Sequence, residues 1–306
     1  MISIIIVNYN TEAYIKKCVK SIISNYELRK TEIIIVDNGS SNGKLEEVLS
    51  EYEGLNIIYL PENNGFGAGC NLGVKYATKE YLLFLNPDII VTKNSIEYLL
   101  ETITGDKNIG VCAGILLDEN NKVLYSYNNF PDLKWEFKEA FGIGLKNTIN
   151  KLTSREEIKK EIPFEVDWFH GACMLMRKDL FEEVGGFDEN IFLYYEDVDI
   201  HKKIKGKGYK IVCIPKSKFY HYERSSVRES GFSKVYYYYM NKSKLYYHNI
   251  YSGKGKVLLI RLMFIYGSIF KFISLIFRPN KWIEIPNRIK QYLLTIGIHL
   301  NIIRNI

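Results

Sequence analysis

The chain has 306 residues, of which 47% are hydrophobic and 25% are charged. This composition excludes a disordered or fibrous chain and suits one large α/β domain with a buried core and some appended helices. The net charge is +6, and the last third, where lysines alternate with aromatic and aliphatic residues, favours an anionic membrane surface as a partner. We predict no nucleic-acid partner, because no DNA- or RNA-binding motif accompanies the basic residues.

The cysteines predict a reducing compartment. They are odd in number, widely spaced and without a C-x-x-C pair: Cys18, Cys70, Cys112, Cys173 and Cys213. We interpret them as core thiols of a cytoplasmic protein. We also expect no signal peptide, because the first apolar run covers only residues 2–7.

In chain order, apolar runs of strand length alternate with helical patterns. The runs are residues 2–7, 33–36, 57–60 and 81–85, and the helical patterns begin near residues 12, 44 and 67. This alternation predicts an α/β fold with a mostly parallel sheet, flanked by helices, and a Rossmann-like nucleotide-binding half. Each run is followed by polar residues, and ligands of open α/β sheets bind at that edge.

Asp37 directly follows the second run and precedes an Asn-Gly-Ser turn. Its carboxylate could accept hydrogen bonds from a pyrimidine N–H or a ribose hydroxyl, and it could equally cap a helix or form an Asx-turn. The glycines of residues 65–69 do not fit a dinucleotide fingerprint, because Cys70 and Leu72 occupy the positions of its third glycine. A close backbone approach to a ligand, or a tightly packed helix start, explains them better.

Asp88 ends the polar segment Asn86-Pro87-Asp88 after the fourth run. A hard divalent cation could bind there and bridge the two phosphates of a leaving nucleotide. His221 is the candidate second ligand, although a lone histidine is more often structural. An imidazole ligand favours manganese over magnesium.

The acidic segment Glu196-Asp197-Val198-Asp199 has two interpretations. Acidic residues in the first turn of a helix are favoured by the helix dipole alone. With a nucleotide-binding half upstream and a metal ligand on each side, the segment also suits a carboxylate that activates a sugar hydroxyl.

Taken together, the motifs resemble glycosyltransferase family 2, which has the GT-A fold, and more narrowly its rhamnosyltransferase-like branch. The matching segments arrive in family order over about three quarters of the chain: residues 4–10, 34–43, 62–73, 81–89 and 166–199, then His221. The resemblance implies an inverting transfer of a sugar from a nucleotide-diphosphate sugar to an acceptor hydroxyl.

Carried over residue by residue, the resemblance assigns roles to this sequence. Asp197 would be the general base. On chemical grounds Glu196 is the fallback base, and Asp199 supports or caps the helix. Asp88 and His221 would bind Mn²⁺ or Mg²⁺ on the diphosphate. The nucleotide-sugar would contact Asn8, Tyr9, Asp37, Asn63, Gly67, Asn71 and Asp88. The family motif often has an acid where this chain has Asn86, which predicts a modest metal affinity.

Trp168 and Gly171 would form the floor under donor and acceptor. Gly171 would permit close approach of a sugar, whereas Trp168 could equally be a core residue. We predict a catalytic domain over residues 1–230, with a nucleotide-sugar-binding half at 1–90 and an acceptor half at 91–230. A helical region would follow at 231–306.

Residues 257–277 are mostly apolar but contain Arg261 and Lys271, which indicates an interfacial amphipathic helix rather than a spanning one. The alternative is a helical subdomain that packs on the catalytic domain or across a homodimer. We therefore expect an enzyme at the inner face of the cell membrane that builds a surface polysaccharide. It would transfer rhamnose or another hexose from a dTDP- or UDP-linked donor to a glycan or lipid-linked acceptor.

Two other classes remain open. One is a non-catalytic sugar-nucleotide-binding or assembly subunit of a glycan complex, which has no need for Asp37, Asp88, Asp197 and His221 together. A nucleotidyltransferase is less favoured, because residues 8–12 lack a Gly-rich, Lys-containing loop for a triphosphate.

Overall fold

The computed structural model describes residues 1–26, 31–41, 45–222, 233–276 and 285–303. The chain divides into two compact units. The first, here the sheet unit, comprises Met1–Phe130, Leu152–Phe192 and Glu196–Glu223. The second, here the helical unit, comprises Pro131–Lys151, Leu193–Tyr195 and Arg224–Ile306.

Eleven strands are formed by the described residues. They are β1 (Ile2–Asn8), β2 (Thr31–Asn38), β3 (Leu55–Leu60), β4 (Tyr81–Leu85), β5 (Ile89–Val91), β6 (Ile109–Leu117), β7 (Tyr127–Asn128), β8 (Phe164–Glu165), β9 (Trp168–Phe169), β10 (Cys173–Arg177) and β11 (Lys210–His221).

Twelve helices are formed by the same described part of the chain. They are α1 (Glu12–Asn25), α2 (Leu45–Val48), α3 (Phe66–Tyr76), α4 (Ser95–Gly105), α5 (Leu133–Phe141), α6 (Leu145–Thr153), α7 (Glu156–Lys159), α8 (Lys178–Glu183), α9 (Glu196–Gly206), α10 (Lys234–Tyr251), α11 (Lys254–Ile276) and α12 (Ile285–His299).

The main sheet has the order β3-β2-β1-β4-β10-β6-β11-β5, and β8 pairs with β11. Strands β3, β2, β1 and β4 are parallel, β10 is antiparallel to both its neighbours, and β11 is parallel to β6. This confirms the predicted α/β fold. The parallel register places Asn8 opposite Asp37, so the polar ends of the first two strands meet at one edge of the sheet.

Both faces of β1 are buried, as its mainly apolar sequence requires. Ile4 and Ile6 point into the core on one face, and Ile5 and Val7 into the core on the other. Helix α3 packs on the second face through its glycines, since a Cβ atom at Gly69 would lie 2.8 Å from Val7. Tight helix packing therefore accounts for the glycines of this segment, as one of the two interpretations predicts.

Two elements differ from the sequence prediction. The helix expected near residues 44–52 is reduced to α2, a single turn. The apolar run before Pro215 predicts a strand over residues 210–214, but β11 continues past the proline to His221, with a register shift between Ile214 and Lys218. Such an irregularity lets a strand contain proline, which cannot donate to the ladder.

The helical unit is built around α5, α10, α11 and α12. Its apolar core includes Tyr238, Ile260, Phe264, Leu294 and Ile298. The unit takes in residues 131–151 and 193–195 as well as the C-terminal segment, so its limits cut across the predicted boundary at residue 230. The predicted domain limits at residues 90 and 230 therefore remain a prediction.

Helix α11 turns its polar residues inward. Arg261 donates to the carbonyl oxygen of His299 at 2.8 Å, Lys271 donates to that of Glu139 at 2.8 Å, and Ser268 is buried. Lys254 and Lys256 are exposed in the first turn, but after it the exposed side chains of the helix are large and apolar: Leu258, Leu259, Leu262, Tyr266, Ile269, Phe270, Phe272 and Ile273. The helix therefore exposes an apolar face, whereas a helix on the surface of a water-soluble domain exposes its charged face.

The segment Lys254–Leu275 of this helix has a mean hydropathy of 1.8 and is long and apolar enough to cross a membrane. Within the described ranges no second helix meets these criteria. Phe277, the last residue of the predicted apolar segment, lies outside the described residues.

Candidate active site

Asn8 and Asp37 form a buried polar cluster at the carboxyl ends of β1 and β2. The Asn8 amide donates to Asp37 at 3.3 Å and to the Ser40 hydroxyl at 3.1 Å, and the Ser40 N–H donates to Asp37 at 2.8 Å. Asp37 thus accepts a hydrogen bond from the backbone three residues further on and holds this turn in place. Tyr9 follows Asn8 in the sequence, and 47% of its surface is exposed. Its ring is therefore accessible for stacking on a nucleobase.

Two further predicted residues hold loops in place. The Asn63 side chain accepts from the Gly65 N–H at 3.0 Å and from the Asn38 amide at 2.9 Å. The Asn71 amide donates to the Phe187 carbonyl at 2.9 Å and to Glu189 at 2.9 Å. Both amides therefore have protein partners, and their contact with a nucleotide-sugar remains a prediction.

Gly67 is enclosed by protein atoms. A Cβ atom there would lie 2.9 Å from Cβ of Phe187 and 3.7 Å from Cβ of Glu196. Its absence of a side chain therefore lets the start of α3 approach the acidic start of α9 closely.

Asp197 lies at the start of α9, half-buried, with both carboxylate oxygens hydrogen-bonded. One accepts from the Gly171 N–H at 2.9 Å and the other from the Val198 N–H at 2.8 Å. Burial raises the pKa of Asp197 to about 6, although these backbone hydrogen bonds act in the opposite direction. A carboxylate with a pKa in this range can take a proton from a hydroxyl near neutral pH.

Glu196 is more deeply buried, with 5% of its surface exposed. Burial and the neighbouring charge of Asp197 raise the pKa of Glu196 well above its usual range. Its Oε2 has no hydrogen-bond partner among the described residues. Of the two candidate bases, Asp197 is therefore the more accessible, and it is the one fixed against Gly171.

The backbone before these acids is unusual. Tyr194 and Tyr195 have φ values of 65° and 71°, a region that bulky side chains rarely adopt. After the acids, Asp199 forms an ion pair with Lys203 at 2.7 Å, one helical turn away. This pairing agrees with the predicted support of the helix.

Asp88 and His221 are adjacent, with 3.3 Å between Oδ1 of Asp88 and Nε2 of His221. The strand pairing explains this contact, since His221 on β11 lies opposite Ile89 on β5. Both side chains are mainly buried but accessible, at 20% and 10% exposure. One carboxylate oxygen and one imidazole nitrogen suit Mn²⁺, with the remaining positions left for phosphate oxygens and water.

No group of three or more metal-ligating side chains occurs in the part of the chain that the structure describes. The two-residue site fits a cation that is shared with a diphosphate, and it does not fit an all-protein metal site.

The acid and the metal pair are connected through neighbouring backbone. Asp197 contacts Gly171, and the carbonyl of the next residue, Ala172, accepts from the Asn86 N–H at 2.8 Å. Asn86 lies two residues before Asp88 in the chain. The base candidate and the metal candidates thus lie at the same end of strands β4 and β10.

Trp168 is buried, at 8% exposure, and its indole N–H donates to the Asn129 carbonyl at 2.9 Å. Its ring stacks on His170, with 5.2 Å between centroids. Burial and the nearby His221 lower the pKa of His170 to about 4, so this imidazole is neutral near pH 7. The family resemblance places His170, with Trp168 and Gly171, in the floor under donor and acceptor, and it assigns His170 no individual role.

The comparisons with known proteins concern the family and the fold of the chain. The sequence model of the family described as Glycosyl transferase family 2 matches residues 3–185, and one described as N-terminal domain of galactosyltransferase matches residues 153–225. The chain is 32% identical to the rhamnosyltransferase WbbL of Escherichia coli K12 over 247 residues, which span 77% of this chain and 88% of that protein.

A second relative is the N-acetylglucosaminyl-diphospho-decaprenol L-rhamnosyltransferase of Mycobacterium tuberculosis. It is 24% identical over 239 residues, spanning 74% of this chain and 77% of the relative. Among solved structures, the mannosyltransferase PcManGT of Pyrobaculum calidifontis, determined with GDP-Man and Mn²⁺, has a TM-score of 0.62. The match has 13% identity and covers 98% of this chain and 86% of that one.

The fold and the site define a glycosyltransferase of the GT-A fold. The chain belongs to glycosyltransferase family 2, and its relatives include rhamnosyltransferases. It acts in the biosynthesis of a glycan or polysaccharide.

Proposed function

We propose that this protein transfers a hexose, with rhamnose as the first candidate, from a nucleotide-diphosphate sugar to an acceptor hydroxyl with inversion at the anomeric carbon. The proposal rests on one observation above all. Asp197 is a half-buried carboxylate fixed against Gly171, at the same end of β4 and β10 as Asp88 and His221.

The mechanism follows from these positions. Asp197 removes the proton from the acceptor hydroxyl while its oxygen attacks the anomeric carbon, and the bond from that carbon to the diphosphate oxygen breaks. Because attack and departure occur on opposite faces, the configuration inverts and a nucleoside diphosphate is released. A divalent cation bound by Asp88 and His221 would stabilise the charge that develops on the diphosphate.

At the opposite end of the donor, the nucleoside would lie at the carboxyl ends of β1 and β2. Asp37 is held in its turn by Ser40, so its carboxylate is oriented before a ligand arrives. Tyr9 is exposed beside it for stacking on the base. The two rhamnosyltransferase relatives support a deoxyhexose donor, for which dTDP is the first nucleotide to test and UDP the second.

A lipid-linked acceptor at the inner face of the cell membrane would account for the exposed side of α11. Residues 231–306 contain twelve lysines and arginines and one acidic residue. Apolar side chains on one helix face, within a strongly basic region, suit peripheral contact with an anionic bilayer. The mycobacterial relative, by its name, acts on an acceptor carried by diphospho-decaprenol. A homodimer formed through the same face is the competing arrangement.

Calorimetry and a transfer assay test the proposed donor and metal. We expect the protein to bind dTDP or UDP with manganese, and Asp88→Ala to weaken that binding at least ten-fold. Glu80→Ala is the control, because Glu80 is exposed and precedes β4 whereas Asp88 follows that strand, and this variant should bind as the wild type does. A β-linked product from an α-linked donor, or the converse, would establish inversion.

Binding of a nucleoside diphosphate without any transfer would support the non-catalytic subunit instead. No binding of dTDP, UDP or GDP would overturn the proposal.

A further inference from the structure

His201 is a fully buried histidine on α9 that has no part in the proposed chemistry. It lies four residues after Asp197 in the helix, so the two residues share a face, and its side chain leans back toward the first turn. Its ring nitrogen Nδ1 is 2.6 Å from the backbone carbonyl oxygen of Asp197. His201 therefore contacts the backbone of the proposed base directly.

This contact fixes the tautomer of the His201 imidazole. A carbonyl oxygen can only accept a hydrogen bond, so Nδ1 carries the proton and donates it. Burial lowers the pKa of His201 to about 4, so the ring is neutral near pH 7 and Nε2 keeps its lone pair. Nε2 has no hydrogen-bond partner among the described residues.

Stability alone does not explain a histidine at this position. A buried acceptor without a partner costs free energy, which an apolar side chain of similar size would avoid. Ile200 and Ile204, which are fully buried on the same helix, are apolar. What the histidine adds over such a residue is the hydrogen bond to the Asp197 carbonyl.

The same ring packs against the strand that leads to Gly171. Phe169 on β9 lies two residues before Gly171, and its ring meets the His201 ring edge-on at a centroid distance of 6.0 Å. Gly171 in turn donates its N–H to the Asp197 carboxylate at 2.9 Å. His201 thus contacts both segments that this hydrogen bond joins, and all of these residues belong to the sheet unit.

We propose that His201 is a positioning residue for the general base. By binding the Asp197 carbonyl and packing on Phe169, it keeps the Asp197 carboxylate within hydrogen-bond distance of Gly171 and directed at the acceptor hydroxyl. A small displacement of a reacting group lowers the rate strongly, so this contact matters for turnover. The inference rests on the proposed function, because it takes Asp197 as the base.

Three substitutions at this one position separate the hydrogen bond from the bulk of the ring. The amide nitrogen of asparagine is as many bonds from Cα as Nδ1 is, so His201→Asn keeps a donor for the Asp197 carbonyl. The amide nitrogen of glutamine corresponds to Nε2, so His201→Gln places its donor elsewhere, and His201→Leu has none. Ile204→Val is the matched control, since Ile204 is fully buried on the same helix and apolar.

The first readouts are kcat, the KM for the donor and the free energy of unfolding. We expect His201→Leu and His201→Gln to lower kcat about ten-fold, the effect of one buried hydrogen bond, with the donor KM changed less than about two-fold. His201→Asn should keep kcat within about three-fold of the wild type. Ile204→Val should lower the free energy of unfolding and leave kcat unchanged.

The pH profile of kcat/KM distinguishes positioning from a general loss of folded protein. The hydrogen bond from Gly171 lowers the pKa of Asp197, so a carboxylate that moves away from Gly171 should have a higher pKa. The midpoint of the profile should therefore shift to higher pH in His201→Leu but not in His201→Asn. Glu196, the neighbouring acid, is the same in every variant.

Unchanged kcat in His201→Leu would overturn the inference, and so would an equal loss in His201→Asn. A lower kcat in His201→Leu without a shift of the pH profile would also overturn it, because the role of the histidine would then be purely structural. Failure of the proposed function gives a different result, since the wild type itself would then transfer no sugar.

Discussion

Each of the two units buries a glutamate, and the surroundings shift the pKa values of the two glutamates in opposite directions. Glu136 in the helical unit and Glu196 in the sheet unit are both at most 5% exposed. Burial acts to raise the pKa of Glu136, but Lys244 and His248 outweigh it and hold that pKa below the usual value. For Glu196 burial and Asp197 act together, and the pKa is raised.

This difference in pKa shift distinguishes a structural carboxylate from a carboxylate of the candidate active site. The inward-facing charges of the helical unit have partners inside the protein: Glu136 pairs with Lys244, and Arg261 and Lys271 donate to carbonyl oxygens. The sheet unit instead concentrates acids at the start of α9 and beside His221, where the compensating charge would come from ligands. Perturbed carboxylates without a fixed cation are typical of catalytic sites.

The largest effect should come from removing the proposed base. We expect Asp197→Asn to lower kcat on the order of 10³-fold, because the amide cannot accept the acceptor proton. Binding of the nucleoside diphosphate should persist, as measured by calorimetry. Asp199→Asn is the control, since its carboxylate pairs with Lys203, and it should lose much less activity. Equal losses in both variants would contradict the assignment of the base.

Breaking the paired glutamate should affect stability rather than chemistry. Lys244→Met leaves Glu136 buried without its main cation and should lower the free energy of unfolding by about 3 kcal/mol. Glu196→Gln should leave stability at neutral pH equal or higher, because a buried carboxyl group with a raised pKa is replaced by a neutral one. Chemical denaturation of both variants checks this, and similar destabilisation of the two would remove the contrast.

The same contrast should appear in the pH dependence of stability. The depressed pKa of Glu136 gives stability that is present above its unfolded value and lost as pH falls through its folded value. The raised pKa of Glu196 acts the other way, so its contribution is lost as pH rises above the unfolded value. Between pH 5 and 8, the stability of Glu196→Gln should therefore fall less steeply with rising pH than that of the wild type. An unchanged slope would show that Glu196 is not perturbed.

For activity, the pKa of about 6 at Asp197 predicts that kcat/KM rises with pH and levels off above this value. Below it the carboxylate is protonated and cannot act as a base. Initial rates at fixed manganese from pH 5 to 8 check this. A profile that is flat through pH 6 would contradict the predicted role.

The smallest effect concerns the exposed face of α11. We expect Leu262→Asp combined with Ile269→Asp to reduce sedimentation with anionic liposomes several-fold, because two apolar side chains that would insert into the bilayer are replaced by charged ones. Ile162→Asp, an exposed apolar residue of the sheet unit, should bind as the wild type does. The face would be assigned to a homodimer by two results together. The wild type would form dimers in ultracentrifugation without sedimenting with liposomes, and the double variant would be monomeric.

The chain pattern predicted much of the sheet unit. The apolar runs of β1, β2 and β4, and the polar residues after them, are local features, and parallel strands bring their carboxyl ends together by geometry. The motifs also predicted the family, which the comparisons confirm. His221 was a weaker inference, because the strand that brings it to Asp88 continues past a proline that reads as a strand end.

What the sequence alone determined is the fold class and the family, and it singled out the candidate acids, since these depend on periodicity and on residues close together in the chain. Tertiary structure decided three other things: that Asp197 rather than Glu196 faces Gly171, that Arg261 and Lys271 of α11 turn inward, and that residues 193–195 contact α10. Each depends on which distant side chain lies nearby, because burial and pairing set the pKa of a carboxylate and the exposed face of a helix. Sequence spacing does not contain that information.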